Sequence, residues 1–289
     1  MFLANEHFSV KTPPRASQRD AHLRPFDNTK PPSRAAIELA ERIRNIFPAT
    51  FRADQLPRCS QRLVQALPAG NGYADRMTLL TGFHLANRGF FAREVLDVAP
   101  EILGCILQRT DDDGTVTIQI TEVEAYAGER DPGAHTYRGK TNRNKTMFGP
   151  AGHLYCYFTY GMHHALNLVT GQSGQPYGCL IRAGNVLAGT DIARSRRESK
   201  PRKVPLRESS LARGPGCVAQ SFGATLANDG DNLFGGQWKF FVPDDEIVLP
   251  HRTGPRVGVS GPGGDATNFP WRYWLADASS VSTYKPGHP

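Results

Sequence analysis

The sequence predicts an α+β fold organised around an antiparallel or mixed sheet. Two observations carry that reading. Between residues 102 and 182 the apolar runs are strand-length, closely spaced and separated by short turn signals. Helical periodicity is limited to a few short pieces beside them, whereas repeated βαβ units would need a crossover of a dozen or more residues between successive strands. The N-terminal part stands apart. Residues 1 to about 32 are rich in Pro, Arg, Asp and Thr without apolar periodicity, the composition of a disordered segment.

Along the chain, Ser33 is placed to cap a helix over roughly residues 34 to 47, where Ala36, Ala40, Ile43 and Phe47 recur at helical spacing and Pro48 marks the stop. Short apolar pieces then run to about residue 85 (Leu63, Val64, Leu67; Met77, Leu79, Leu80) with no evident chemistry, and suit a small helical appendage. The organisation expected is therefore an extension over 1–85, a main domain over 86–283 and a tail over 284–289. F-F-A-R-E-V-L is a short helix candidate. I-L-G-C-I-L-Q-R and V-T-I-Q-I-T-E-V-E read as two strands joined by the hairpin-like turn D-D-D-G. Three further strands are expected over 154–159, 165–169 and 178–182, and helices over 186–195 and 217–223. In the last part, W-K-F-F-V is an apolar run, P-R-V-G-V-S suggests a strand, and P-W-R-Y-W an aromatic segment packing back on the sheet.

Lys and Arg (34) outnumber Asp and Glu (27), a formal charge of +7 that fits an anionic partner, either nucleic acid or an anionic membrane surface. No apolar run approaches the roughly 18 residues of a membrane span, and the opening M-F-L-A-N-E-H-F lacks the basic start and apolar run of a secretory signal. Cys59, Cys105, Cys156, Cys179 and Cys217 are odd in number and widely spaced, which points to reduced thiols inside a cell.

The chemistry concentrates between residues 121 and 167, where carboxylates, tyrosines and histidines cluster around short apolar strands. Such a set suggests a pocket that stacks a flat group and does acid–base chemistry on it. Strand alternation puts Glu122 and Glu124 on the apolar face of Ile118 and Ile120, and a carboxylate aimed there is paired, hydrogen-bonded or functional. Tyr126 and His135 nearby favour a site at Glu124, with Glu122 the structural member of the pair. Tyr155, Tyr157 and Thr159 share one face of the next strand, as a core stripe or a pocket wall. Tyr160, before Gly161, is an aromatic at a turn, able to wedge between bases if the partner is a duplex. His135, His153, His163 and His164 lack the spacing of a metal motif. Asn167 places an amide within a strand, where it needs partners or discriminates a ligand by clash. R-G-P-G at 213–216 is either a phosphate cradle before a helix or a tight structural turn. The basic run R-R-E-S-K-P-R-K at 196–203 is either phosphate-facing or a solvated loop.

These residues, in this order, resemble the alkyladenine/3-methyladenine DNA glycosylase family. The matching runs are E-V-E-A-Y, A-H-T-Y-R-G, R-N-K-T-M-F, H-L-Y-C-Y-F-T-Y-G-M, A-L-N, L-I-R-A, R-G-P-G, P-R-V-G-V-S and P-W-R-Y-W, spread over about residues 90 to 282. The resemblance implies a single domain around a curved antiparallel sheet and no metal or organic cofactor. It implies Glu124 as general base for the attacking water, with Arg182 beside both. Tyr126, His135 and Tyr157 become walls around a flipped base, Tyr160 the side chain that fills the vacated place in the helix, and Asn167 the residue that crowds the amino group of normal guanine. His163 and His164 depart from the pattern, where relatives often have an aromatic. The implied reaction removes alkylated or deaminated purines from double-stranded DNA and leaves an abasic site without cutting the strand. A monomer with no membrane partner is expected, in the cytoplasm or nucleoid of a bacterium or the nucleus of a eukaryote. The rival readings are a non-catalytic sensor of damaged DNA and a hydrolase of small nucleosides or amides.

Overall fold

The computed structural model describes residues 79–159, 161–200, 202–245 and 248–287. The expected N-terminal disorder, the helix over 34–47 and most of the appendage lie outside the described residues, as does Tyr160. The architecture is α+β: one antiparallel sheet, ten-stranded among the described residues, with four α-helices.

The chain enters as β1 (Phe83–Leu85) and two short helices, α1 (Arg88–Phe91) and α2 (Val95–Ile102). The expected helix F-F-A-R-E-V-L thus spans a break, because the Arg93 side chain turns back to the Phe90 carbonyl and pairs with Glu101. α2 buries Val95, Val98, Ala99 and Ile102, the i, i+3, i+4, i+7 stripe of a one-sided helix. Val95, Val98 and Ile102 each contribute roughly 1.5–3 kcal/mol when fully buried. The stripe packs against β3 (Gly114–Ala127). The strand expected from Ile102 starts later, at β2 (Ile106–Asp111). Gly104 intervenes at φ 87°, with Leu249 2.5 Å from where a Cβ would stand, so only glycine passes there.

β2 and β3 form the expected hairpin, with Asp111 opposite Gly114. β4 (Leu154–Thr159), β5 (His163–Thr170) and β6 (Tyr177–Ala188) follow. β6 is far longer than its apolar run, and it takes over residues 186–188 from the expected helix. That helix, α3, runs Thr190–Arg197 after Gly189, which lies so close to the Thr115 carbonyl that a Cβ would meet it at 2.2 Å. α4 (Pro215–Phe222) packs on β5 and β6. The last strands are β7 (Phe234–Gly235), β8 (Trp238–Pro243), β9 (His251–Gly254) and β10 (Arg272–Leu275).

The main path of the sheet is β1-β8-β2-β3-β6-β5-β4. One edge of β3 is shared: its first half pairs with β2, and Glu122 to Glu124 pair with β10. Its other edge pairs with β6, with register shifts between Ile120 and Val123. Such irregularities re-aim side chains, and the alternation expected from Ile118 to Glu124 is interrupted there. Thr121, Glu122, Val123 and Glu124 are all completely buried. P-R-V-G-V-S is a loop rather than a strand, because Arg256 turns inward to a buried ion pair with Asp131. No described helix is long and apolar enough to cross a membrane, and the four described cysteines are free thiols.

Candidate active site

β3, β5 and β6 bring three polar side chains to one place: Glu124, Asn167 and Arg182. In register, Leu180 of β6 lies opposite both Glu124 and Asn167, and Asn167 also faces Tyr155 of β4. These residues floor a cleft of about 320 Å³, walled by Tyr126, His135, Tyr155 and Tyr157 and by the loop from Val257 to Ser260. A larger cavity, about 430 Å³, lies against β1 and β8. Its Arg93 and Glu101 neutralise each other, and its size alone gives it no chemistry.

Glu124 accepts the Val257 N–H at 2.6 Å on one oxygen. Its other oxygen takes the Tyr126 hydroxyl at 2.8 Å, with the Arg182 guanidinium 3.3 Å away. A carboxylate offers about four lone-pair sites, so little more than one is left for a water. Glu124 is wholly covered, so such a water would be a held molecule rather than bulk solvent. Burial, then Glu124, pushes the Tyr126 phenol well above its usual pKa and keeps it a donor. Burial alone would lower the pKa of Arg182, but Glu124 and Glu122 hold it above the ordinary value.

Glu122 is buried just as deeply and bonded more heavily. It accepts Arg182 Nε at 3.0 Å, Arg272 Nε at 2.7 Å, and the Ser282 hydroxyl and N–H at 2.8 and 2.6 Å. A carboxylate this saturated has no room for a substrate, which separates its role from that of Glu124.

The aromatic wall is built from β4 and the loop after β3. Tyr155 and Tyr157 stack at 5.3 Å and 20°, and the His135 ring meets Tyr157 edge-on at 4.6 Å. Asn144 donates to the His135 carbonyl at 3.0 Å and so fixes that loop. His135 is open to the cleft, yet desolvation by its neighbours, then the positive Arg143, lowers its pKa below the ordinary 6.5. Arg143 lies 6.0 Å over the Tyr157 ring and donates to the Phe158 carbonyl at 3.0 Å. Asn167 is nearly buried, and no described protein group hydrogen-bonds its amide.

The structure thus gathers Glu124, Tyr126, His135, Tyr157, Asn167 and Arg182 around one cleft. Tyr160 lies outside the described residues, and Phe158 and Met162 are 43% and 69% exposed. His163 is exposed, and His164 packs on Phe158 at 5.3 Å. The R-G-P-G run bridges to β6 at Ala183, and its Pro215 lines the cleft. The basic run is partly internal: Arg196 is tied to Asp111 and Asp113, while Arg202 and Lys203 stay exposed. Sequence reasoning missed Val257, whose contribution is a backbone N–H and leaves no signature in residue type. It also missed the Asp131–Arg256 pair, because 125 residues separate its members.

The methylpurine-DNA glycosylase family profile matches residues 89–279. A protein of Streptomyces avermitilis is 46% identical over 209 residues, covering 70% of this chain and 92% of its own. One from Leifsonia xyli is 44% identical over 204 residues, covering 70% and 93%. One from Burkholderia lata is 45% identical over 197 residues, covering 68% and 89%. All three bear the name "putative 3-methyladenine DNA glycosylase".

Proposed function

The chain belongs to the methylpurine-DNA glycosylase family, and from that premise we propose that it hydrolyses the N-glycosidic bond of alkylated or deaminated purines in duplex DNA. The 3-methyladenine, 7-methylguanine, hypoxanthine and ethenoadenine types are the candidate substrates, and the product is an abasic site. The observation that carries the reading is the covered Glu124–Arg182 pair under an aromatic-walled cleft of about 320 Å³.

In this reading the damaged nucleotide rotates out of the stack, at a cost of a few kcal/mol that is smallest for a damaged or mispaired base. Tyr126, His135 and Tyr157 receive the base, and stacking returns roughly 1–3 kcal/mol. Tyr160 fills the vacated place in the duplex. Asn167 disfavours normal guanine by crowding its amino group. Glu124 takes a proton as the oxygen of a held water bonds to the sugar C1′. The C1′–N bond breaks with its electron pair going to the purine: an alkylated, cationic purine departs neutral, and an uncharged one such as hypoxanthine or ethenoadenine takes up a proton from solvent as it leaves. The carboxylate also faces the positive charge growing on the sugar. Arg182, 3.3 Å away, holds Glu124 oriented. Water rather than an amine is the nucleophile, so strand cleavage does not follow. The protein acts as a monomer on duplex DNA.

The test is Glu124→Gln, assayed on duplex oligonucleotides that each carry one of the four lesions. The amide keeps the shape but loses the charge and the basicity. Single-turnover excision should fall at least roughly 10³-fold, within the 10²–10⁴-fold typical of general-base catalysis and aided by lost charge stabilisation. Binding to lesion-bearing duplex should change far less. Near-normal excision by the folded variant would overturn the reading.

A further inference from the structure

The family profile ends at residue 279, but the site does not. Ser282 donates its N–H and its hydroxyl to Glu122, at 2.6 and 2.8 Å. The same hydroxyl accepts Arg182 Nη2 at 3.2 Å, and the Ser282 carbonyl accepts Arg272 at 2.8 Å. Three residues on, the Lys285 carbonyl accepts the Gly258 N–H at 2.9 Å. Gly258 follows Val257, whose own N–H holds Glu124. A short C-terminal strap therefore reaches two of the three groups that grip the Glu124 carboxylate: Arg182 through Ser282 and Glu122, and Val257 through Lys285.

We propose that the strap from Ser282 to Lys285 is part of the reaction machinery, with Ser282 a positioning residue that sets the Arg182 guanidinium against Glu124. Arg182 reaches Glu122 through Nε and Glu124 through Nη1, so the planar fork has one orientation that serves both carboxylates. Ser282 closes that fork at Nη2. Without its hydroxyl, Glu122 loses one of its donors and Arg182 is free to rotate out of the plane. Charge-directed catalysis is sensitive to displacements of that kind, because a preorganised group costs no reorganisation at the moment of reaction. Ser280 serves as the contrast. It lies just ahead of the strap and is fully buried, and its hydroxyl meets the Thr121 hydroxyl at 2.8 Å rather than the carboxylates or Arg182.

The inference rests on the glycosylase reading, and the test separates the two. Ser282→Ala, Ser282→Thr and Ser280→Ala are assayed on whichever of the four lesions the wild-type protein excises fastest, together with Glu124→Gln. Single-turnover excision at saturating enzyme is measured beside affinity for a duplex holding a stable abasic-site analogue. Ser282→Ala should slow excision at least about 10-fold, as loss of a hydrogen bond to charged groups implies, while affinity changes less than about 3-fold. Ser282→Thr should restore the rate, and Ser280→Ala should leave it within about 3-fold of wild type, whatever either does to the melting temperature. A loss below 10-fold for Ser282→Ala, or an equal loss for Ser280→Ala, overturns the positioning role while Glu124→Gln remains inactive. Normal excision by Glu124→Gln instead removes the reading beneath it, and the inference with it.

Discussion

At Glu124 and Glu122, two carboxylates two residues apart on one strand are given different work by their surroundings. Both are wholly buried and both touch Arg182. Glu122 is saturated by Arg272 and Ser282, whereas Glu124 borders the cleft and keeps spare accepting capacity. His135 shows the same principle in a titrating side chain. Desolvation and then Arg143 lower its pKa from 6.5, so the imidazole is neutral at neutral pH, with one donor and one acceptor nitrogen. Removing the Arg143 charge eases protonation, so the pKa should rise toward the ordinary value. We expect the His135 ring protons, followed by NMR and assigned with His135→Asn, to titrate below pH 6.5 in the wild-type protein and at higher pH in Arg143→Gln. A pKa that stays put or falls in the variant would remove Arg143 as a cause.

At the scale of elements, the divided edge of β3 matters most. Because β10 rather than β2 pairs with its second half, Arg272 lies beside Glu124 in register and reaches Glu122 with its guanidinium. The loops around the cleft are pinned to this half-strand by one buried pair. Arg256 binds both oxygens of Asp131, at 2.5 and 2.7 Å, donates to the carbonyls of Ala125 and Gly263, and lies 4.6 Å over the Tyr126 ring. Asp131 also holds the N–H groups of Ala127 and Gly133, at the base of the loop that carries His135. Asp131→Ala would leave a fully buried guanidinium without its counter-charge, which costs about 3–5 kcal/mol. Melting temperature should fall by about 6–20 °C at the roughly 2–4 °C per kcal/mol typical of a domain this size. A shift of under about 3 °C would mean that water or another group takes over the pairing. β4 was legible residue by residue, because a run of aromatic and apolar side chains with a following Gly161 marks it. β6 was legible only in its apolar middle, since its ends hold strand geometry by pairing with β3 and not by composition. The P-R-V-G-V-S loop reads as a strand because its residues favour one, and a tertiary ion pair overrides that preference.

Over the whole molecule, the residues that met in the cleft were legible as an ordered set, but the framework behind them was not. Arg272 and Ser282 act at sequence separations of 150 and 160 from Glu122, beyond the reach of any local pattern. Charge is also unevenly spread. Residues 1–78 carry 12 Lys and Arg against 7 Asp and Glu, so five of the seven surplus charges precede the described domain, and the remainder is close to balanced. The cleft and both buried carboxylates draw nothing from the described chain before β1, so a form beginning at residue 79 should keep single-turnover excision within about 3-fold. Its affinity for duplex DNA should be weaker and less steeply dependent on salt, because every phosphate left without its Lys or Arg takes about 0.9 off the log–log slope. A form beginning at residue 89, where the family match starts, is the informative contrast. It lacks β1, whose Phe83 to Leu85 pair with Phe241 to Pro243, and the buried Leu79 and Ala86. The bare edge of β8 and the missing apolar packing should lower its melting temperature and favour association through the open strand. Measuring excision, salt-dependent binding and thermal unfolding on both forms separates a tether from a structural element. If the form from residue 79 loses excision by 10²-fold or more while remaining folded, residues 1–78 contribute to the chemistry, and a site confined to the described domain is wrong.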